Sequence, residues 1–236
     1  MRDILINNAR MMGIDMTPGQ ADKFCMYHEM LTAANKTMNL TRVPDDPAEA
    51  VDRNYLDSIT PLIHALPEGA KTLVDVGSGA GFPGIPLAIM LPDIRITLID
   101  ALDKRVKFLN DVIKALELNA VAVHARCEDA GKKPELREQF DIATSRAVAS
   151  LNILCEFSLP LVKVGGQMIA YKGPIWQEEA AQAENALSVL GGKVAGAKPA
   201  DIPGRDWNHM LVYIDKVSPT PEKYPRRPGV PEKKPL

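Results

Sequence analysis

Three glycines at alternate positions, Gly77, Gly79 and Gly81, follow the apolar run Thr72-Leu73-Val74-Asp75-Val76 and precede Phe82-Pro83-Gly84. Glycine lets a backbone turn tightly and approach a ligand with no Cβ in the way. A helix starting just beyond such a turn aims its first amides into the same crevice. Asp100, 23 residues after Gly77, closes a second apolar run, where a carboxylate can accept both hydroxyls of an adenosine ribose. Together these predict a cleft for a nucleotide-type cofactor. A dinucleotide site needs its third glycine three residues after the second, and Phe82 occupies that place. The Gly-x-Gly-x-Gly spacing instead fits S-adenosylmethionine (SAM), which has no pyrophosphate to cradle. Asp100 taken alone has a simpler reading, as the cap of the helix that follows.

The elements around these residues alternate. Strands are predicted at 72–76, 94–100, 120–125, 140–144, 167–171 and 209–217, with helices after the glycine turn and at 104–116, 150–159 and 178–190. Strand–helix alternation implies right-handed crossovers and a doubly wound, mostly parallel α/β sheet of the class I (Rossmann-like) methyltransferase kind. Residues 1–66 carry helical punctuation and no strand pattern, which predicts an N-terminal helical cap. Thr17-Pro18 reads as an N-cap with proline at the first helical position, opening a helix to about Asn35. A second helix is expected from Asp45 or Asp46, interrupted near Asn54. Residues 67–218 form the cofactor-binding domain. Residues 219–236 hold six prolines and a net charge of +3, which predicts a stiff basic tail without helix or strand.

The 236 residues carry a net charge of −2, so bulk charge argues neither for nor against nucleic acid. Cys25, Cys127 and Cys155 form no CxxC pair and no metal spacing, which fits reduced thiols, a cytoplasmic setting and no bound metal. No stretch is long and apolar enough for a bilayer, and no membrane association is expected. The chain reads as self-sufficient as a monomer.

Several segments narrow the class. The loop continues Gly-Phe-Pro-Gly-Ile-Pro, the fourth strand runs into Ser145-Arg146-Ala147, and the cap contains Met38-Asn39-Leu40-Thr41 and Asp57-Ser58. The chain closes with Tyr224-Pro225-Arg226-Arg227-Pro228-Gly229-Val230-Pro231 and Lys233-Lys234-Pro235-Leu236. From about Asn39 onward it closely resembles the RsmG (GidB) family, which methylates N7 of guanine 527 in the 530 loop of bacterial 16S ribosomal RNA. The resemblance implies SAM as cofactor and 16S RNA, the 30S subunit or an assembly intermediate as partner. It also implies SAM contacts at Gly77 and Phe82, an adenine pocket at Cys127-Glu128, and Arg146 in the same cleft.

The residues themselves are compatible with an N7 target. The fourth strand lacks the Asp/Asn-Pro-Pro-Tyr that serves exocyclic amines, and neither Cys127 nor Cys155 stands where a pyrimidine-attacking thiol would. Guanine N7 has a free lone pair, so no general base is required and none is assigned. Arg146 is expected on the SAM carboxylate, on an RNA phosphate or on guanine O6; its structural alternative is a salt bridge to Asp75 or Asp141. Lys172, at a strand end, reads as a phosphate contact or a solvated side chain, and Arg226 and Arg227 as RNA contacts. The four histidines are assigned no catalytic part, and Trp176 and Trp207 read as core or lid rather than base-stacking residues. A small-molecule methyltransferase and a non-catalytic SAM- or RNA-binding protein stand as alternatives.

Overall fold

Seven strands form one sheet in the order β3-β2-β1-β4-β5-β7-β6. The computed structural model describes residues 1–44 and 46–236. The strands are β1 (Thr72–Val76), β2 (Arg95–Asp100), β3 (Ala120–His124), β4 (Phe140–Arg146), β5 (Val162–Lys172), β6 (Gly192–Pro199) and β7 (Met210–Lys216). The first five are parallel; β7 runs antiparallel to both β5 and β6. Strand order reverses between β1 and β4. In open α/β sheets the ligand crevice lies outside the carboxyl ends of the strands at that switch point. Here those ends are the glycine loop after Val76 and Arg146-Ala147, where β4 closes.

Helices α5 (Gly84–Met90), α6 (Asp103–Ala115), α7 (Cys127–Ala130), α8 (Leu151–Ser158), α9 (Trp176–Gln182) and α10 (Glu184–Leu190) connect the strands. α6 shows why the sequence places them: Val106, Leu109, Val112 and Ile113 fall on one stripe and are buried, while the opposite face is charged. The strand β6 has no counterpart among the expected elements. Its Gly192 and Gly196 and its exposed lysines blur the period-2 signal that reveals a strand. The single helix expected at 178–190 is two, parted at Ala183.

The N-terminal helices are α1 (Arg2–Met11), α2 (Pro18–Met38), α3 (Pro47–Ala50) and α4 (Asp57–Ile59). Thr17 caps α2 in a full capping box with Gln20, and the helix runs past Asn35 until Asn39 adopts a left-handed C-cap with φ of 47°. Asp46 caps α3; Asp45 lies outside the described residues. The break expected near Asn54 is a π-helical turn over Val51–Leu56. One extra residue per turn is costly, and such turns recur at functional sites. Tyr55 packs edge-on against both Phe24 and Tyr27, and Tyr27 and Tyr55 pack against Phe82 of the glycine loop, with centroids 5.5–5.8 Å apart. The Tyr27 hydroxyl donates to the Ala80 carbonyl at 2.7 Å. The helical region therefore holds the loop in place rather than standing apart from it.

The tail is folded back. Its only helix among the described residues is α11 (Val230–Lys233), a short turn the proline content did not foretell. Arg137 donates to the carbonyls of Gly131, Thr220 and Tyr224 at 2.6–2.8 Å, clamping the tail's start. Lys216, wholly buried, donates to the Leu159 carbonyl, Thr220 and Glu138.

Candidate functional site

At the switch point, Gly77, Gly79 and Gly81 take φ values of 74°, 60° and 111°, which L side chains rarely adopt. A Cβ on Gly77 would lie 2.7 Å from the Val148 side chain, and one on Gly81 2.8 Å from the Tyr27 hydroxyl. The loop thus borders a cavity of about 430 Å³ lined by Gly77, Gly79, Phe82, Asp100, Cys127 and Glu128, among others. That volume lies in the range of small-molecule sites. The sequence-predicted cofactor residues converge on it, together with Arg146.

Several of them are not free as expected. The amides of Gly77 and Ser78 both donate to the Ile99 carbonyl, tying the loop to β2. The first amide of α5, Gly84, donates to Asp75 at 3.0 Å instead of pointing into the crevice. Asp100 does not cap α6, whose N-cap is Leu102 with no side-chain bond. It accepts from the Gly79 and Leu102 amides at 2.8 and 2.9 Å, which fixes its carboxylate at the cavity wall. Glu128 is buried and accepts from the Gly229 amide of the tail at 2.9 Å. Glu232, also from the tail, reaches the same cavity. Burial pushes the Cys127 thiol up to about 12, so it is no nucleophile at neutral pH.

A second cavity of about 410 Å³ shares Thr41, Arg146 and Ala147 with the first, so the two meet at the end of β4. Arg146 pairs with neither Asp75 nor Asp141. Asp141 stands at the opposite end of the same strand, some five residues or roughly 16 Å away. There it accepts from Lys71, Thr72 and Lys163. The partner of Arg146 is Asp57, at 2.6 Å, with a further bond to the Arg53 carbonyl. Its guanidinium also lies 5.0 Å above the Phe82 ring, joining the two cavities through one side chain. The other oxygen of Asp57 accepts from His209 at 2.8 Å. Burial alone would raise the Asp57 carboxyl, but the bonds from His209 and Arg146 outweigh it and hold the group below the ordinary carboxylate value.

Two expected RNA contacts are turned inward. Lys172 is neither solvated nor free: it donates to Glu179 at 2.6 Å and the Ala149 carbonyl at 2.7 Å. Arg226 grips the buried carboxylate of Glu156 through its backbone amide, Nε and an Nη, at 2.5–3.1 Å. Arg227 is exposed. Besides the ion-paired Arg146 and Lys172, the second cavity is lined by Arg42 and by Arg53, whose own pair with Glu49 is exposed. Beside them Arg53 and Arg205 both lie over the Trp207 ring, at 4.9 and 5.5 Å. Sequence reasoning missed these, and its only signal was the helical break near Asn54. Among the described residues no group of three or more His, Cys, Asp or Glu side chains could hold a metal, and no helix is long and apolar enough to cross a membrane.

Asp75 is the one strongly perturbed acid at the loop. It is fully buried, one oxygen has no partner, and burial raises its carboxyl to about 7. The unfolded chain releases this proton near pH 4 and the native chain keeps it to about pH 7, so stability falls as pH rises between them. Three pH units correspond to about 4 kcal/mol. Asp75→Asn, which can still accept the Gly84 amide, is expected to lose this component. Melting curves from pH 4 to 8 check it: the wild-type Tm should fall more than the variant's, by on the order of 10 °C.

The sheet order, the glycine loop and the cavity at the switch point define a class I methyltransferase fold. Aeropyrum pernix fibrillarin, solved with natively bound S-adenosyl-L-methionine, shares it with a TM-score of 0.51 at 14% identity, over 67% of this chain and 72% of that one. The chain belongs to the rRNA small subunit methyltransferase G (GidB) family, whose model matches residues 20–203. It is 46% identical to ribosomal RNA small subunit methyltransferase G of Lactobacillus johnsonii, covering 95% of both chains. It is 44% identical to that of Clostridium perfringens strain SM101, covering 99% of this chain and 98% of the relative. The activity is therefore methylation of small-subunit ribosomal RNA.

Proposed function

We propose that the protein transfers a methyl group from SAM to N7 of guanine 527 in 16S ribosomal RNA, in the cytoplasm, on the 30S subunit or a precursor of it. The observation that carries this reading is the pair of cavities meeting at Arg146: one fits an adenosine-bearing cofactor, the other opens onto a basic rim and can take an extruded base. The first suits SAM because its glycine loop offers close backbone approach with its amides already engaged, so it is no phosphate cradle, while Asp100 stands at β2's end where a ribose would lie. Bound SAM supplies a methyl on a sulfonium sulfur; the N7 lone pair forms the new N–C bond as the S–C bond breaks, and sulfur keeps the electron pair.

The chain's own residues position and enclose. Phe82 and Arg146 form the wall between the cavities, Asp57 fixes Arg146, and Tyr171 ties β5 to the Ser58 carbonyl behind them at 2.5 Å. No residue need remove a proton, so catalysis is in-line placement of the two reactants. Arg42, Arg53 and exposed Arg227 are the phosphate contacts of choice, in place of Lys172 and Arg226.

Two measurements test the reading. SAM or its demethylated product should raise the Tm by several degrees while NAD does not. Purified protein with methyl-labelled SAM and small subunits lacking the mark should yield 7-methylguanosine as the labelled nucleoside. Label in another nucleoside would refute the target.

A further inference from the structure

The second cavity is lined by one buried polar group without a hydrogen-bond partner and by one half-exposed imidazole. Asn54 is 4% exposed, lines the cavity, and its amide nitrogen is buried with no hydrogen-bond partner. A buried amide left unpaired is unfavourable and calls for an explanation, such as a ligand that completes it. The π-helical turn is what places it there, since a regular helix would have carried residue 54 around to a different bearing. His209 lines the same cavity. Its Nδ1 is bonded to Asp57, and its Nε2 has no partner among the described residues. With the proton on Nδ1, the neutral ring presents Nε2 as an acceptor. The Trp207 ring, 5.6 Å away, backs the imidazole.

An amide donor and an imidazole acceptor lining one cavity separate guanine from adenine, and uracil, which offers the same pair at O4 and N3–H, has no N7 to methylate. Guanine carries an acceptor at O6 and a donor at N1–H; adenine carries an amino donor and a ring acceptor at the same two places. We propose that Asn54 and His209 are the specificity residues for the methylated base: the Asn54 amide donates to guanine O6 and His209 Nε2 accepts from N1–H, leaving N7 toward Arg146 and the cofactor cavity. Each oxygen of Asp57 is already engaged, one by Arg146 and the other by His209, and we assign it the role of positioning the imidazole. The His209 contact also favours the reaction. Methylation at N7 leaves the purine positive and its N1–H more acidic, so the hydrogen bond strengthens as charge develops, a gain made in the transition state.

This assignment rests on the guanine-N7 reading, and substituted bases separate the two. Small subunits are reconstituted with 16S RNA carrying guanine, inosine or 2-aminopurine at the target position. Inosine keeps O6 and N1–H; 2-aminopurine keeps N7 and loses both. The wild type should methylate inosine within about threefold of guanine and 2-aminopurine about 100-fold or more slowly. Asn54→Ala and His209→Ala should each slow methylation of guanine about tenfold or more but leave 2-aminopurine within about threefold, so the ratio collapses. His209→Gln, which retains an acceptor, should recover part of it. An unchanged SAM-induced thermal shift in each variant shows that the fold and cofactor cavity persist. Guanine methylation with the wild-type ratio preserved in the variants overturns the assignment alone. Wild-type label on an atom other than N7 overturns the reading beneath it and the assignment with it.

Discussion

A chain ending at Lys223 will bind SAM at least tenfold more weakly than the full protein and melt at a lower temperature. The tail from Tyr224 is not a free arm. Its Gly229 amide is the bond partner of Glu128, and Glu232 lies against the cofactor cavity. Arg226 is the partner of Glu156, whose carboxylate is 1% exposed. Removing one member of a buried ion pair costs about 3–5 kcal/mol, because the remaining charge is left without compensation. Only an RNA-binding loss would be expected from an extended basic tail; the folded-back tail predicts loss of cofactor affinity first. Calorimetric titration with SAM checks this, and unchanged affinity in a folded truncation would contradict it. Arg227→Ala separates the two roles. It should leave SAM affinity intact and lower the salt slope of RNA binding by about one.

Arg146→Ala is expected to slow methyl transfer by about 100-fold or more and to destabilise the protein by about 3 kcal/mol. The side chain touches both cavities, stacks on Phe82 and holds Asp57, so its loss loosens the wall that aligns the two reactants. Arg146 and Asp57 are 17% and 7% exposed, so solvent does little to screen their pair. SAM affinity should change by less than about tenfold, because the loop, Asp100 and Glu128 remain. Single-turnover rates and cofactor titration on the same preparation check both halves. Wild-type turnover would remove Arg146 from the reaction. Arg146→Lys should restore part of the stability but little of the rate, since an ammonium cannot both span Asp57 and stack on Phe82 in the manner of the planar guanidinium.

What the sequence made legible was local and periodic. The buried strand β1, the alternating glycines and Asp100 carry their meaning in spacing alone, and the structure brings them to one cavity. The N-cap at Thr17 with Pro18 behind it was legible for the same reason. The weak points were contacts made by distant helices. Lys172 and Arg226 look available in sequence, but Glu179 and Glu156 reach them from helices α9 and α8, whose docking no local pattern encodes. Arg146 found Asp57, 89 residues earlier, rather than the acids on its own sheet. Strand β6 hid behind its glycines. Asn54 showed only as a break in a helical pattern and His209 only as one of four histidines given no catalytic part; the π-helical turn and the pairing with Asp57 are what bring them to the cavity.

Chemical cleavage that maps N7-methylguanine along 16S RNA tests the proposed mark on small-subunit RNA. The RNA is taken from cells with the gene, cells without it, and the deletion strain carrying either the wild-type gene or Arg146→Ala. A mark at guanine 527 that disappears on deletion and returns only with the wild-type protein is the predicted result. A mark that persists at that position in the deletion strain would contradict it.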